Sequence, residues 1–170
     1  MKIDMLAVLA EAERALPRLL EEEEKWTGLF VDYERPFVER LWRSWGEFRL
    51  NLHRIHPCDP GQALWHPHPW PSAMRIHDHP YEMLVGYTDG DTPPPTAARL
   101  VLAPGSTYEM VEPDGWHAVR PIYEPVHTLM VTGTPWNRSS PKSARPLAAL
   151  TAAQRRSLFD FFRGRYPLSR

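Results

Sequence analysis

Apolar residues recur at Met5, Val8, Leu9, Ala12, Leu16 and Leu19, the spacing of an amphipathic helix, and Asp4 stands where an N-cap belongs. Pro17 interrupts this pattern and predicts two helical pieces. The acidic run 21–24 that follows reads as a solvated end. Residues 25–46 carry Trp26, Phe30, Tyr33, Phe37, Trp42 and Trp45 without a clean period, punctuated by Pro36 and Gly46. They predict an irregular aromatic lead-in packed outside a barrel. From Phe48 the period shortens to two: Phe48, Leu50 and Leu52 alternate with Arg49, Asn51 and His53, as in a half-buried strand. Short segments of similar character follow at 63–68, 73–77, 81–88, 98–103, 106–112, 116–121 and 126–133, each bounded by Pro, Gly or Asp. A Pro-rich loop covers 89–96. Eight short strands with turn signals and no helical pattern between them predict an all-β barrel. A last helix starts at Thr151, where Thr151 and Gln154 form a capping box ahead of Leu158, Phe159, Phe161 and Phe162, and Gly164 is its expected stop.

Composition narrows the function classes. The chain of 170 residues fits one domain with appended helices, divided here into a lead-in (1–46), a barrel (47–136) and a basic linker with a terminal helix (137–170). Twenty Lys+Arg against 21 Asp+Glu give a net charge of −1, without the basic excess of a nucleic-acid binder. No apolar run approaches a membrane span, and no secretory leader pattern is visible. A single cysteine, Cys58, excludes an internal disulfide framework and a multi-cysteine zinc site, and fits a cytoplasmic protein. From Lys142 onward there are seven Lys/Arg and one acid, so the acidic first helix and basic last helix are expected to lie together or to pair across a homodimer. Eight histidines make ligand chemistry the natural place to look.

The informative stretch runs from Gly61 to His79. Residues i and i+2 of a strand share a face, so His66 and His68 project together as two metal ligands must. A third ligand has to come from another strand, and His117, just after the turn Pro113-Asp-Gly115, is the candidate. With these residues the chain resembles the cupin superfamily of jelly-roll barrels. The first cupin motif sets a Gly before His-x-His, then a carboxylate and a turn Gly; Gly61, His66, His68 and Pro69 match it. The second motif sets a Gly before Pro-x-Gly and a His; Gly105, Pro113, Gly115 and His117 match. Ser72 or Ala73 stands where the carboxylate belongs, and the turn Gly, expected near His79, is missing.

A three-histidine set without a carboxylate resembles the cysteine and other thiol dioxygenases among cupins. That resemblance implies a mononuclear non-haem Fe(II) dioxygenase acting on a small thiol or carboxylate substrate. The alternative is a non-redox cupin: a Zn or Ni isomerase or lyase, or a small-ligand or metal-binding protein without catalysis; Mn would also suit the ligands. A second alignment reads Ile76-His77-Asp78-His79 as the His-x-His, with Glu82 as carboxylate and His117 shared, but no Gly stands upstream near residue 71. Trp70 and Trp116 adjoin the ligands and are candidate pocket walls. Arg75 or Arg120 could hold a substrate carboxylate, and Tyr81 and Tyr108 could offer hydroxyls. His53, His56 and His127 are read as structural, and Cys58 as incidental.

Overall fold

The alternation that starts at Phe48 becomes β3 (Phe48–Ile55), near the middle of a six-stranded antiparallel sheet ordered β1-β2-β3-β10-β5-β8. Its other members are β1 (Thr27–Val31), β2 (Val38–Trp45), β5 (Ser72–Ile76), β8 (Thr107–Met110) and β10 (Val126–Thr132). A four-stranded antiparallel sheet, ordered β4-β9-β6-β7, holds β4 (His66–Pro67), β6 (Tyr81–Tyr87), β7 (Ala98–Leu102) and β9 (Gly115–Pro121). The computed structural model describes residues 3–168. Among these residues no ladder joins the two sheets. The molecule is therefore a two-sheet sandwich rather than the closed barrel expected from the strand pattern.

Period two divides the larger sheet into two unlike faces. Leu41, Leu50, Leu52, Ala73, Leu129 and Val131 point one way and are almost fully buried beneath the two helices. Helix α1 (Met5–Leu19) contributes Met5, Leu9, Ala12 and Leu16, and α2 (Ala152–Arg165) contributes Leu158, Phe159 and Phe162. Arg40, His53, Met74 and Met130, from the same strands, point the other way into the sandwich. Helical and sheet periods thus agree on one apolar core, which leaves the inter-sheet space for polar groups. Phe162 is fully buried, so Phe162→Ala is expected to cost about 3–5 kcal/mol in urea denaturation. A loss below about 1 kcal/mol would show that α2 adds little to the core.

The caps form as expected. Asp4 accepts from the Ala7 amide at 2.9 Å, and Thr151 and Gln154 make the reciprocal capping box. Two expectations change. Pro17 does not divide α1, because it falls in the last turn, where little helix remains to be broken. Residues 25–46 are not an irregular lead-in, since they supply β1 and β2 and extend the sheet beside β3. The β2 pattern was masked because its inward positions include charges. Glu39 is buried with His56 on its carboxylate at 3.0 Å, and Arg43 is buried against Glu22 at 2.8 Å. The acidic segment after α1 and the basic α2 meet within one chain, with Arg163 on Glu23 at 2.7 Å. No helix among the described residues is long and apolar enough to cross a membrane.

Candidate metal centre

Between the sheets lies a cavity of about 230 Å³. Its floor is set by the shortest ladder in the molecule: β4 pairs with β9 so that His66 stands directly opposite His117. His68 follows two residues after His66, and the prolines around the pair hold the chain extended. Two of the three motif glycines, Gly61 (φ 81°) and Gly105 (φ 86°), occupy the left-handed region that favours glycine. His79 takes φ 35° where the motif's turn glycine was missing, so the turn is kept without the usual residue.

The three imidazoles converge. One nitrogen from each of His66, His68 and His117 lies within 4.8 Å of the others. The Nε2 atoms of His66 and His117 are 3.1 Å apart, and the rings of His68 and His117 are centred 4.4 Å apart. Imidazole nitrogens ~2.1 Å from one ion and at about a right angle are ~3 Å from each other, so this spacing suits a shared metal. His66 donates through Nδ1 to the Leu64 carbonyl at 3.0 Å, which leaves its Nε2 lone pair free. His68 Nδ1 is paired with Ser72 Oγ at 2.9 Å, which likewise leaves Nε2. Such partners orient ligand rings. His117 Nδ1 is buried without a partner, and its ring is held by packing against the other two imidazoles and Tyr108.

Burial makes all three rings neutral at physiological pH, the state a ligand requires. It pushes His68 down to about 3, with the neighbouring His66 and Arg40 adding to the effect. Burial also lowers His66, and it holds His117 well below the ordinary imidazole range. The residues present therefore fit one divalent cation with nitrogen ligands and open positions facing the cavity.

The walls are apolar with a few polar groups, as ligand sites usually are. Trp70 stacks on His68, with ring centres 5.8 Å apart and planes 14° from parallel, and it lines the cavity. Tyr81 lines it too, and its hydroxyl lies 3.4 Å from that of Tyr108. The two tyrosines come from opposite sheets, and Tyr108 donates to Met74 Sδ at 3.2 Å.

Other expected site residues are elsewhere. Trp116 is buried but sits on the far face of β9, where its indole donates to the Thr88 carbonyl at 3.1 Å. Neighbours along a strand face opposite ways, so adjacency to His117 pointed the wrong way. Arg75 lies on the helix face of β5, where it is ion-paired with Glu13. Arg120 is bound to Glu82 at 2.9 Å on the outer face of the smaller sheet. The alternative ligand set is not assembled. His77 is packed against Phe161, Phe162 and Tyr166 of the α2 segment, His79 is an exposed turn, and Glu82 is held by Arg99 and Arg120. His56 is bound to Glu39, and His127 to Asp78 at 2.7 Å.

Two cavity residues escaped the sequence reading. Arg40 donates through Nε to His53 Nε2 at 3.1 Å, and His53 Nδ1 is paired with Thr128 Oγ1 at 3.1 Å. The alternation in β3 placed His53 on the polar face with Asn51, but nothing in an unrecognised β2 marked Arg40.

No known family profile matches the chain, and no curated protein does. Solved structures match in shape. The iron(II) form of HppE superposes with a TM-score of 0.50 at 14% identity, over 65% of this chain and 57% of that one. The fold is cupin-like. Hydroxypropylphosphonic acid epoxidase from S. wedmorenis gives 0.49 at 16% identity, over 65% and 56% of the two chains. A chain from the DMSP lyase structures RdDddP and RnDddQII gives 0.40 at 20% identity, over 58% and 45%. This chain thus spans less than two thirds of each.

Proposed function

We propose that this protein is a mononuclear metal enzyme. In this reading His66, His68 and His117 hold one Fe(II), and a small molecule in the adjoining cavity is oxidised with O₂. The carrying observation is the convergence of three neutral imidazoles within 4.8 Å at the cavity floor, with no carboxylate among them. Fe(II) bound there supplies open coordination positions and redox chemistry toward O₂. For a thiol substrate RSH the balanced product of dioxygenation is the sulfinic acid RSO₂H, both oxygen atoms of O₂ entering it.

The chain's own groups have separable tasks. Leu64 and Ser72 orient His66 and His68 through their Nδ1 atoms. Trp70 and Met74 give the cavity part of its apolar lining. Burial pushes the Tyr108 hydroxyl up to about 12 and holds the Tyr81 hydroxyl well above its ordinary value, so both stay protonated near neutrality, and Tyr81, which lines the cavity, can donate a hydrogen bond.

Oxygen uptake tests the proposal. The apoprotein is loaded with Fe(II) without oxygen, or with Zn(II), and both forms are offered a panel of small thiols and carboxylates. Uptake by the iron form alone is expected, since zinc has no redox chemistry. Equal turnover of one compound by both forms would replace the oxygenase by a Lewis-acid isomerase or lyase.

A further inference from the structure

Arg40 is a cation without an anion. Its β2 position stands opposite His53 of β3, and both side chains line the cavity. Among the described residues it has no ion-pair partner, whereas Arg43, Arg75 and Arg120 each have a carboxylate. Burial lowers its guanidinium to about 10, helped by Arg49, yet at that value it remains charged at neutral pH. Arg40 lines the same cavity as His66, His68 and His117. Arg40 is half-buried, and its charge stands at the cavity wall with no carboxylate beside it.

The hydrogen bonds say which edge is available. The Arg40 Nε–H donates to His53 Nε2, so the His53 proton resides on Nδ1 and points to Thr128 Oγ1. Burial holds His53 well below the ordinary imidazole range, which keeps it a neutral acceptor. Nε is therefore committed, and the Nη1/Nη2 edge has no protein partner among the described residues. That edge is a planar two-donor fork matched to two oxygens of one oxyanion. The other cavity groups leave its charge uncompensated: His66, His68 and His117 are neutral, and Arg35 and Glu34 are exposed at the rim.

We propose that Arg40, pinned by His53, is the anchor for an anionic substrate head, so that the ligand of this cavity is a small organic oxyanion of the carboxylate type. This rests on the cavity being the substrate site of the proposed metal enzyme, and it names the substrate class. His53 is a positioning residue, because it acts through Arg40.

The test is a calorimetric titration of the protein as purified with propionate, ethylphosphonate and the neutral isostere propionamide, with metal content measured on the same samples. The wild type is expected to favour propionate over propionamide by about ten- to hundredfold, the effect of a paired charge-assisted contact. Ethylphosphonate reports whether the fork prefers a planar or a tetrahedral head. Arg40→Gln is expected to abolish the preference while leaving metal content unchanged, and Arg40→Lys to retain part of it. An anion held by the metal alone would survive in Arg40→Gln, and that result would overturn the anchor. Equal binding of propionate and propionamide by wild type, or binding of neither anion, would overturn it without any variant. His117→Ala separates the two claims: unchanged metal content there would sink the metal site and leave the propionate comparison readable.

Discussion

His117→Ala is expected to weaken metal binding by about a hundredfold or more, measured by chelator competition with Zn(II) as the probe. The magnitude follows from zinc sites whose total binding free energy, shared over four ligands, is ~3 kcal/mol per ligand. Of the three histidines His117 is the one on β9, whereas His66 lies on β4 and His68 just after it. The fold should persist. The buried His117 Nδ1 has no partner, so removing the ring takes away no hydrogen bond to the protein from that atom. Unchanged affinity in a folded His117→Ala protein would mean that any metal binds elsewhere.

Glu82→Ala is expected to be the most destabilising single change among the charged residues. Glu82 is buried and accepts from Arg120 Nε at 2.9 Å and Arg99 Nε at 3.0 Å. Arg99 is largely exposed and would return to water, but the Arg120 side chain is only 9% exposed and would be left without its counter-charge. Stranding such a charge costs about 3–5 kcal/mol. The pH dependence has a defined sign. Burial raises the Glu82 carboxyl, but hydrogen bonds from Arg99 and Arg120 outweigh it and hold the group below its ordinary value of 4.5. A depressed carboxylate contributes stability in full above its unfolded value and loses it as pH falls through the folded one. The difference between wild type and variant should thus be complete at neutral pH and shrink below pH 4.5. Urea denaturation of both proteins from neutral pH into acid measures it. A difference below about 1 kcal/mol at neutral pH would contradict the assigned pairing.

What the sequence made legible follows the physics of each feature. Local chemistry was readable: the Thr151–Gln154 capping box, the turn glycines Gly61 and Gly105, and the alternation of β3 depend on a few adjacent residues. Each of the eight expected strand segments overlaps a strand of the structure. The same-face geometry of His66 and His68 was readable because strand periodicity sets it, and His117 because a turn precedes it. Readings that needed a partner strand failed. Glu39 and Arg43 hid the alternation of β2, since buried charges are legible only with their partners His56 and Glu22 in place. Trp116 adjoins His117 in sequence, but strand alternation turns it away from the cavity, as it does Arg75 and Arg120. Arg40 became visible only once β2 and β3 were paired in register.

The central claim is a single metal ion on three histidines, and elemental analysis of tag-free protein, as purified and after loading with Fe(II), tests it most directly. About one metal ion per chain is expected, the number that one cluster of three ligands can hold. No bound metal in either sample would contradict it, and His66, His68 and His117 would then be the polar wall of a metal-free ligand cavity.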